Sequence, residues 1–134
     1  MMDKKTLIKT LEANDMRLTR TRLAIADILF DSKEDRHVSA EWVARQLEDR
    51  GASISLATVY NTLNSFVDVG VLKQIQGAGA SVLFDTNVSH HHHFLKESTG
   101  ELIDIPSDAI KLDGVPDAPD GASIKGWDLV IRID

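Results

Sequence analysis

The chain of 134 residues contains no cysteine, only three prolines and few aromatic residues. The absence of cysteine excludes disulfides, iron–sulfur clusters, cysteine nucleophiles and thiolate zinc sites, including a structural zinc held by four cysteines. There is no apolar run of about 18 residues, so we expect no membrane span. No basic segment followed by an apolar one opens the chain, so we expect a cytoplasmic protein rather than a secreted one.

The chain also lacks a net positive charge, because 21 acidic residues outnumber 15 basic ones and the formal net charge is −6. That value weighs against nucleic-acid binding, but the charge is unevenly distributed. Residues 1–76 hold eleven basic and eleven acidic residues, whereas residues 77–134 hold four basic and ten acidic ones. The first 22 residues are locally basic, which can mark an end that touches a polyanion. A solvated helix face is the alternative interpretation.

Apolar residues at helical spacing predict four helices in the first half of the chain. We expect them over residues 4–14, from Thr19 or Thr21 to Phe30, from Ser39 to about Arg50, and from Ser55 to Gly70. Serine and threonine are good N-caps, and glycine often ends a helix. The polar stretch Asp31–His37 between the second and third helices is predicted to be a loop.

After Gly70 the apolar period changes to that of short strands. Val71–Gln76 and Val82–Asp85, joined by Gly77–Ala80, predict a hairpin with a glycine-containing loop. Helices followed by such a hairpin, with a short joint between the third and fourth helices, describe a winged helix-turn-helix. We therefore predict an α+β fold, with a winged-helix DNA-binding domain over residues 1–86.

The remaining residues, 87–134, are predicted to form a small α/β lobe. His91–Lys96 and Glu101–Ile105 can pair as strands, Ser107–Ile110 allows a short helix, and Ile124–Ile133 is predicted to be a last strand. A lobe of fewer than 50 residues buries little apolar area and needs a metal or a partner. We expect it to be a metal-binding dimerisation domain of a homodimer.

The fourth helix is the first candidate functional element. Its apolar stripe leaves small and amide side chains facing outward, and these can reach base edges in a major groove. They are Ser55, Ala57, Thr58, Asn61 and Thr62, with Tyr60 at the border. Phosphate contacts could come from Arg17, Arg20, Arg22 and the hairpin. An amphipathic helix with no ligand is the alternative.

The second candidate is the run of four histidines, His90, His91, His92 and His93. On a strand, His91 and His93 point to one side and His90 and His92 to the other. Two imidazoles at this spacing can share a transition metal, which carboxylates could complete. The nearby candidates for additional ligands are Asp85, Glu97, Glu101, Asp104 and His37. We interpret the tract as a metal or haem site, and an incidental exposed run is the alternative.

An enzyme is not expected. The sequence has no His-Glu-x-x-His helix, nucleophile elbow or phosphate-binding loop. A hydrolytic zinc site, or a metal-binding module with no DNA role, is the competing class. Salt-sensitive binding to duplex DNA would separate the two classes, because phosphate contacts impose a steep salt dependence.

Several motifs resemble the ferric uptake regulator (Fur) family. They are Val38-Ser39-Ala40-Glu41, Ser55-Leu56-Ala57-Thr58-Val59-Tyr60-Asn61-Thr62-Leu63, Gly70-Val71-Leu72 and the histidine run. Four other short segments are similar to those of the iron response regulator (Irr) branch of this family. They are Phe84-Asp85-Thr86-Asn87, His91-His92-His93-Phe94, Asp104-Ile105-Pro106 and Pro116-Asp117-Ala118-Pro119. This branch implies a dimeric, iron- and haem-linked regulator of transcription of alphaproteobacterial type.

The resemblance implies an interlobe site for a divalent transition metal (Fe, Mn or Zn). Its ligands would be His37, Asp85, His91, His93 and Asp104. It implies a DNA-contacting role for Tyr60 and Arg17, and a haem role for the histidines that include His92. The positions of the family's Cys-x-x-Cys zinc site are Lys96 and Thr99 here, so that site is absent.

The function expected from these features is a metal- and haem-responsive regulator of iron homeostasis that binds operator DNA as a dimer. Metal in the interlobe site would favour the arrangement that binds DNA, because a ligand shifts a conformational equilibrium only through differential affinity. Haem at the histidine run would favour release. A manganese- or zinc-responsive repressor without a haem role is the alternative.

Overall fold

The computed structural model describes residues 3–31, 34–76, 82–89, 91–124 and 126–134. The chain divides into two compact units, Met1–Val88 and Ser89–Asp134. The first unit contains the four helices and a small sheet, and the second unit contains a separate sheet. Each unit therefore has its own secondary structure, and they are described one after the other.

The described residues of the first unit include four α-helices, and all four begin at a side-chain N-cap. They are α1 (Lys4–Ala13), α2 (Arg20–Phe30), α3 (Ala40–Asp49) and α4 (Leu56–Asp68). The capping oxygens belong to Asp3, Thr19, Ser39 and Ser55, and each accepts a hydrogen bond from the backbone N–H three residues later. These bonds satisfy N–H groups that have no partner within the helix.

The sheet of the first unit has three short antiparallel strands in the order β1–β3–β2. They are β1 (His37–Val38), β2 (Lys73–Gln76) and β3 (Val82–Asp85). The register places His37 opposite Asp85 and Val38 opposite Phe84. The predicted connection Gly77–Ala80 lies outside the described residues.

One aliphatic core joins the helices to this sheet. Its members come from all four helices, from β1 and β3, and from Val71 and Leu72 before the hairpin. The most deeply buried large side chains include Phe66, Phe84 and Leu63. Because Phe84 occupies this core, the strand that carries Asp85 is fixed to the helical layer.

The sheet of the second unit has the order β5–β4–β6. It comprises β4 (His91–Lys96), β5 (Glu101–Pro106) and β6 (Val130–Ile133). The central strand β4 pairs antiparallel with β5 and parallel with β6. A single 3₁₀ turn, Ser107–Ala109, follows β5. The histidines thus lie on the central strand of the sheet.

The structure differs from the sequence-based prediction in several places. Strand β2 begins at Lys73 rather than Val71, because only residues from Lys73 onward pair with β3. His37, predicted to lie in a loop, starts strand β1. The last strand begins at Val130 rather than Ile124, because only residues from Val130 onward pair with β4. Thr62, predicted to face outward, is buried, and its hydroxyl donates to the Thr58 carbonyl one helical turn earlier. Among the described residues, no helix has the length and apolar character needed to cross a bilayer.

Candidate metal centre and nucleic-acid interface

Two of the predicted metal ligands pair within the first unit. His37 and Asp85 are opposite each other on β1 and β3, and Nε2 of His37 lies 3.1 Å from Oδ2 of Asp85. The second carboxylate oxygen, Oδ1, accepts a hydrogen bond of 2.8 Å from the Asn87 N–H. The Asp85 side chain is fully buried, so these contacts hold its carboxylate in one orientation. We call His37 and Asp85 the first-unit pair.

Three other predicted ligands converge within the second unit. Asp104 lies opposite His93 in the β4–β5 register. Its Oδ1 is 3.1 Å from Nε2 of His93 and 3.5 Å from Nε2 of His91. The two imidazole rings are 4.6 Å apart, which confirms that His91 and His93 share one side of the strand. We call His91, His93 and Asp104 the second-unit triad.

Hydrogen bonds fix the ring tautomers of two neighbouring histidines in opposite ways. The carbonyl oxygen of Ser89 lies 2.6 Å from Nδ1 of His91 and can only accept, so that nitrogen carries the proton. Nε2 of neutral His91 then has a lone pair facing Asp104, as a metal ligand requires. By contrast, Nδ1 of His92 accepts from the Leu129 N–H at 3.2 Å, which places the proton of neutral His92 on Nε2.

The opposite side of the strand is covered by an indole ring. His92 stacks on Trp127 with ring centroids 4.5 Å apart, and no part of the His92 side chain is exposed. His92 is therefore a packed residue of the second unit in this structure. His90, predicted to share its side, lies outside the described residues.

The outward surface of α4 presents four of the predicted DNA-contacting residues. Ala57, Thr58 and Asn61 are exposed, and so is Ser55 at the N-cap. The Ser55 hydroxyl accepts from the Thr58 N–H and donates to the Thr58 hydroxyl at 2.9 Å. Ala57 and Asn61 project from one helical face, one turn apart. They are more available to an external ligand than Ser55 and Thr58, whose hydroxyls bond to each other.

Tyr60 of α4 contacts α3 and β3. Its hydroxyl donates to Oε1 of Glu41 at 3.2 Å, and its ring meets Phe84 edge-on at 6.5 Å. Burial raises the pKa of Tyr60, and the Glu41 carboxylate raises it further through its charge and the hydrogen bond. Tyr60 therefore keeps its proton and remains a donor near neutral pH.

The three predicted phosphate-binding arginines lie at the start of α2. Arg17 and Arg20 are exposed, whereas Arg22 is half-buried and its Nη1 donates to the Arg17 carbonyl at 2.5 Å. This bond fastens the turn that carries Arg17 to the first turn of α2. Arg17 and Arg20 are consequently the two arginines of this group with side chains open to solvent.

The family assignment follows from a comparison of sequences. The profile of the Ferric uptake regulator family matches residues 13–122, which is most of the chain. The chain belongs to the ferric uptake regulator family. A curated Fur relative, the ferric uptake regulation protein of Escherichia coli K12, is 34% identical over 112 residues, covering 83% of this chain and 73% of the relative.

Solved structures agree with this assignment. The ferric uptake regulator of Pseudomonas aeruginosa with manganese has a TM-score of 0.70 at 26% identity, covering 99% of this chain and 97% of that one. A zinc-bound manganese uptake regulator has a TM-score of 0.64 at 26% identity, covering 95% and 96%. The predicted fold class, a winged helix followed by a dimerisation lobe, is thereby confirmed. Fur-family members are metal-responsive regulators of transcription and not enzymes, and they bind operator DNA as dimers.

Sequence reasoning missed several residues that shape these sites. The Glu41 partner of Tyr60 and the Trp127 partner of His92 were not foreseen. The strand that brings His37 to Asp85 is only two residues long, and 48 positions separate the two ligands. The alternation of a strand cannot be recognised over only two residues. The local sequence therefore did not predict the pairing of His37 with Asp85.

Proposed function

We propose that this Fur-family chain is a homodimeric regulator of iron homeostasis whose operator binding requires a divalent transition metal. The first-unit pair and the second-unit triad would together supply its ligands. The observation that carries the proposal is the convergence of two imidazole nitrogens on one Asp104 oxygen, with Nδ1 of His91 bonded to the Ser89 carbonyl and Nε2 facing Asp104. Imidazole and carboxylate are donors that suit Fe, Mn and Zn.

The donor set fits a metal on chemical grounds as well. All five side chains carry nitrogen or oxygen donors, and four of them are buried or half-buried. Donors drawn from both units would make metal affinity depend on how the units are arranged, so bound metal would favour one arrangement. Relatives of this chain have been solved with manganese, with iron and with zinc, which supports a divalent ion without selecting one.

We propose that α4 reads the operator through Ala57 and Asn61, with Arg17 and Arg20 on phosphates. Asparagine can bond the edge of adenine, and the alanine methyl can contact the methyl group of thymine. Exposure of these side chains on one face supports the assignment. Ser55, Thr58, Tyr60 and Arg22 would contribute mainly by holding that surface in shape, since each has an internal hydrogen bond.

The test uses duplexes selected from a random DNA pool by the Mn²⁺-loaded protein. Binding to a selected duplex is measured by fluorescence anisotropy with metal and with chelator, for the native chain, His93→Ala and the control Glu101→Gln. We expect chelator and His93→Ala to weaken binding and Glu101→Gln to leave it unchanged. Equal affinity with and without metal would refute the metal requirement.

Asn61→Ala tests base reading separately. It should cost about 1–3 kcal/mol on the selected duplex and nothing on a scrambled one. An equal loss on both duplexes would show that Asn61 contributes no sequence discrimination.

We further propose a haem-linked response of the Irr type, in which histidines of the run ligate haem. The proposal is supported by the similarity between the Irr branch and the sequence segments around Asp85 and the histidines. Imidazole is also a common haem ligand. His91, His92 and His93 are each at most 4% exposed, and Trp127 covers one face of His92. Haem binding therefore requires Trp127 to leave His92, and occupancy of His91 and His93 by a metal would oppose it.

Hemin titration in a Trp42→Phe background tests the haem proposal, because Trp127 is then the only indole. We expect the Soret band of hemin to shift and sharpen and the Trp127 fluorescence to change, and both changes should be lost when His91, His92 and His93 are replaced by alanine. Mn²⁺ should weaken the response. A Soret shift retained by the triple variant would reject this site, and a native chain that causes no shift would favour the manganese- or zinc-responsive alternative.

A further inference from the structure

Thr86 directly follows Asp85 at the end of strand β3. Strand β1 is only two residues long, and such a strand supplies few ladder hydrogen bonds of its own. The pairing with β3 is nevertheless extended by one further step. The Thr86 N–H donates to the Arg36 carbonyl at 3.1 Å. Arg36 directly precedes His37, so this bond lies next to the first-unit pair.

The Thr86 side chain completes that step. Its Oγ1 accepts a hydrogen bond of 2.8 Å from the Arg36 N–H, and the residue is only 2% exposed. The hydroxyl thus occupies the place that a backbone carbonyl takes in a regular ladder. With both its N–H and its C=O bound to Thr86, the Arg36 backbone cannot rotate without breaking a buried hydrogen bond.

The Arg36 side chain is fixed as well. Its Nη2 lies 3.0 Å from Oδ1 of Asp31, and its guanidinium carbon lies 5.7 Å above the Trp42 ring. Asp31 also binds Nη2 of Arg50 at 2.8 Å. The residue before His37 is therefore fastened to the ends of α2 and α3 through its side chain and to Thr86 through its backbone.

We propose that Thr86 is a positioning residue for metal binding. Its hydroxyl holds Arg36, and through Arg36 it sets the position of His37 opposite Asp85. This inference rests on the proposed metal function of the first-unit pair. Thr86 bonds the backbone of Arg36, so its effect on affinity would be transmitted through the backbone that carries His37.

The experiment measures Co²⁺ binding to the full-length chain by absorption spectroscopy and calorimetry. Thr86→Val removes the hydroxyl, and Thr86→Ser retains it. Thr62→Val is the matched control, because Thr62 is also buried and also uses its hydroxyl to bond a backbone group. We expect Thr86→Val to weaken Co²⁺ binding about 10-fold, the low end for loss of an orienting partner. Thr86→Ser and Thr62→Val should bind like the native chain.

The outcomes separate the two levels of the proposal. A native chain that binds no Co²⁺ overturns the metal function itself. A native chain that binds, with Thr86→Val folded and binding equally well, overturns only the role of Thr86. An equal loss in Thr62→Val overturns it too, since the effect would then follow stability alone.

One measurement needs no variant and keeps the inference testable if Thr86→Val does not fold. Hydrogen exchange of the metal-free native chain should show that the Arg36 and Thr86 amides are protected, because both are bonded in the described structure. Exchange at the rate of an unstructured peptide at both positions would overturn the arrangement.

Discussion

Asp104→Asn separates metal binding from folding more cleanly than any other change in the second-unit triad. Its side chain is 39% exposed, whereas those of His91 and His93 are almost fully buried. The amide has nearly the shape of the carboxylate but lacks its charge. Because exposed substitutions usually change stability by no more than about 0.5 kcal/mol, the metal-free variant should unfold almost like the native chain.

The expected magnitude follows from linkage. At a metal concentration of 100 times the dissociation constant, binding stabilises the native chain by about 2.7 kcal/mol. Loss of a proposed direct ligand such as Asp104 should weaken binding by about 100-fold, the upper end for loss of a mere orienting partner. At the same metal concentration the stabilisation then falls to about 0.4 kcal/mol. At roughly 3 °C per kcal/mol for a chain of this size, the metal-induced rise in Tm should fall from about 8 °C to about 1 °C.

Calorimetry with Mn²⁺ and with chelator measures both Tm values. Glu101→Gln is the matched control, because Glu101 lies on the same strand, is exposed and pairs with Lys96 rather than with a histidine. It should keep the full metal-induced rise. A metal-induced rise that Asp104→Asn keeps in full, or that Glu101→Gln loses to the same extent, would contradict a ligand role for Asp104.

Three further predictions concern the first unit. Glu41→Gln should lower the pKa of Tyr60, the only tyrosine, but leave it above 10.0 because burial persists; an ultraviolet titration with an unchanged midpoint would contradict this. The raised pKa of Tyr60 adds stability that is present below pH 10.0 and is lost as the pH rises through the folded-state pKa. Ser39→Ala should cost about 1 kcal/mol in urea unfolding and Ser39→Asp almost nothing, whereas equal losses would exclude capping as the cause. Hydrogen bonds from the backbone and the side chain of Thr6 lower the pKa of Asp3, so the stability that the Asp3 carboxylate contributes is present above pH 3.8 and is lost as the pH falls through the folded-state pKa. Asp3→Asn should remove this part of the pH dependence of acid unfolding.

The helices of the first unit could be predicted from the sequence because their signals are local. Thr19, Ser39 and Ser55 stand before apolar residues at helical spacing, and each is an N-cap in the structure. Gly51 and Gly70 stand just beyond α3 and α4 with φ of +82°, a conformation that glycine adopts without strain. Capping and periodicity act over a few residues, so a single sequence reveals them.

The candidate site was less accessible to such reasoning. Alternation along β4 correctly placed His91 and His93 together, because that period is a property of one strand. The pairing of His37 with Asp85 depends instead on a contact across 48 positions, and only the family resemblance pointed to it. The roles of Thr86 and Trp127 depend on hydrogen bonding and stacking between distant segments, for which residue type alone gives no sign.

The distribution of charge bears on how such a regulator would hold its operator. Helix α4 contains no lysine or arginine, and residues 1–76 have equal numbers of basic and acidic side chains. Since phosphate neutralisation supplies most non-specific affinity, a single winged-helix unit with this balance should bind random DNA weakly. Specific binding would then depend on two units engaging two half-sites together, which raises affinity only when their spacing matches the DNA. A bound metal that constrained the arrangement of the winged-helix units would affect this spacing. Because the DNA-reading surface is weakly basic, occupancy of the operator would then depend more strongly on metal.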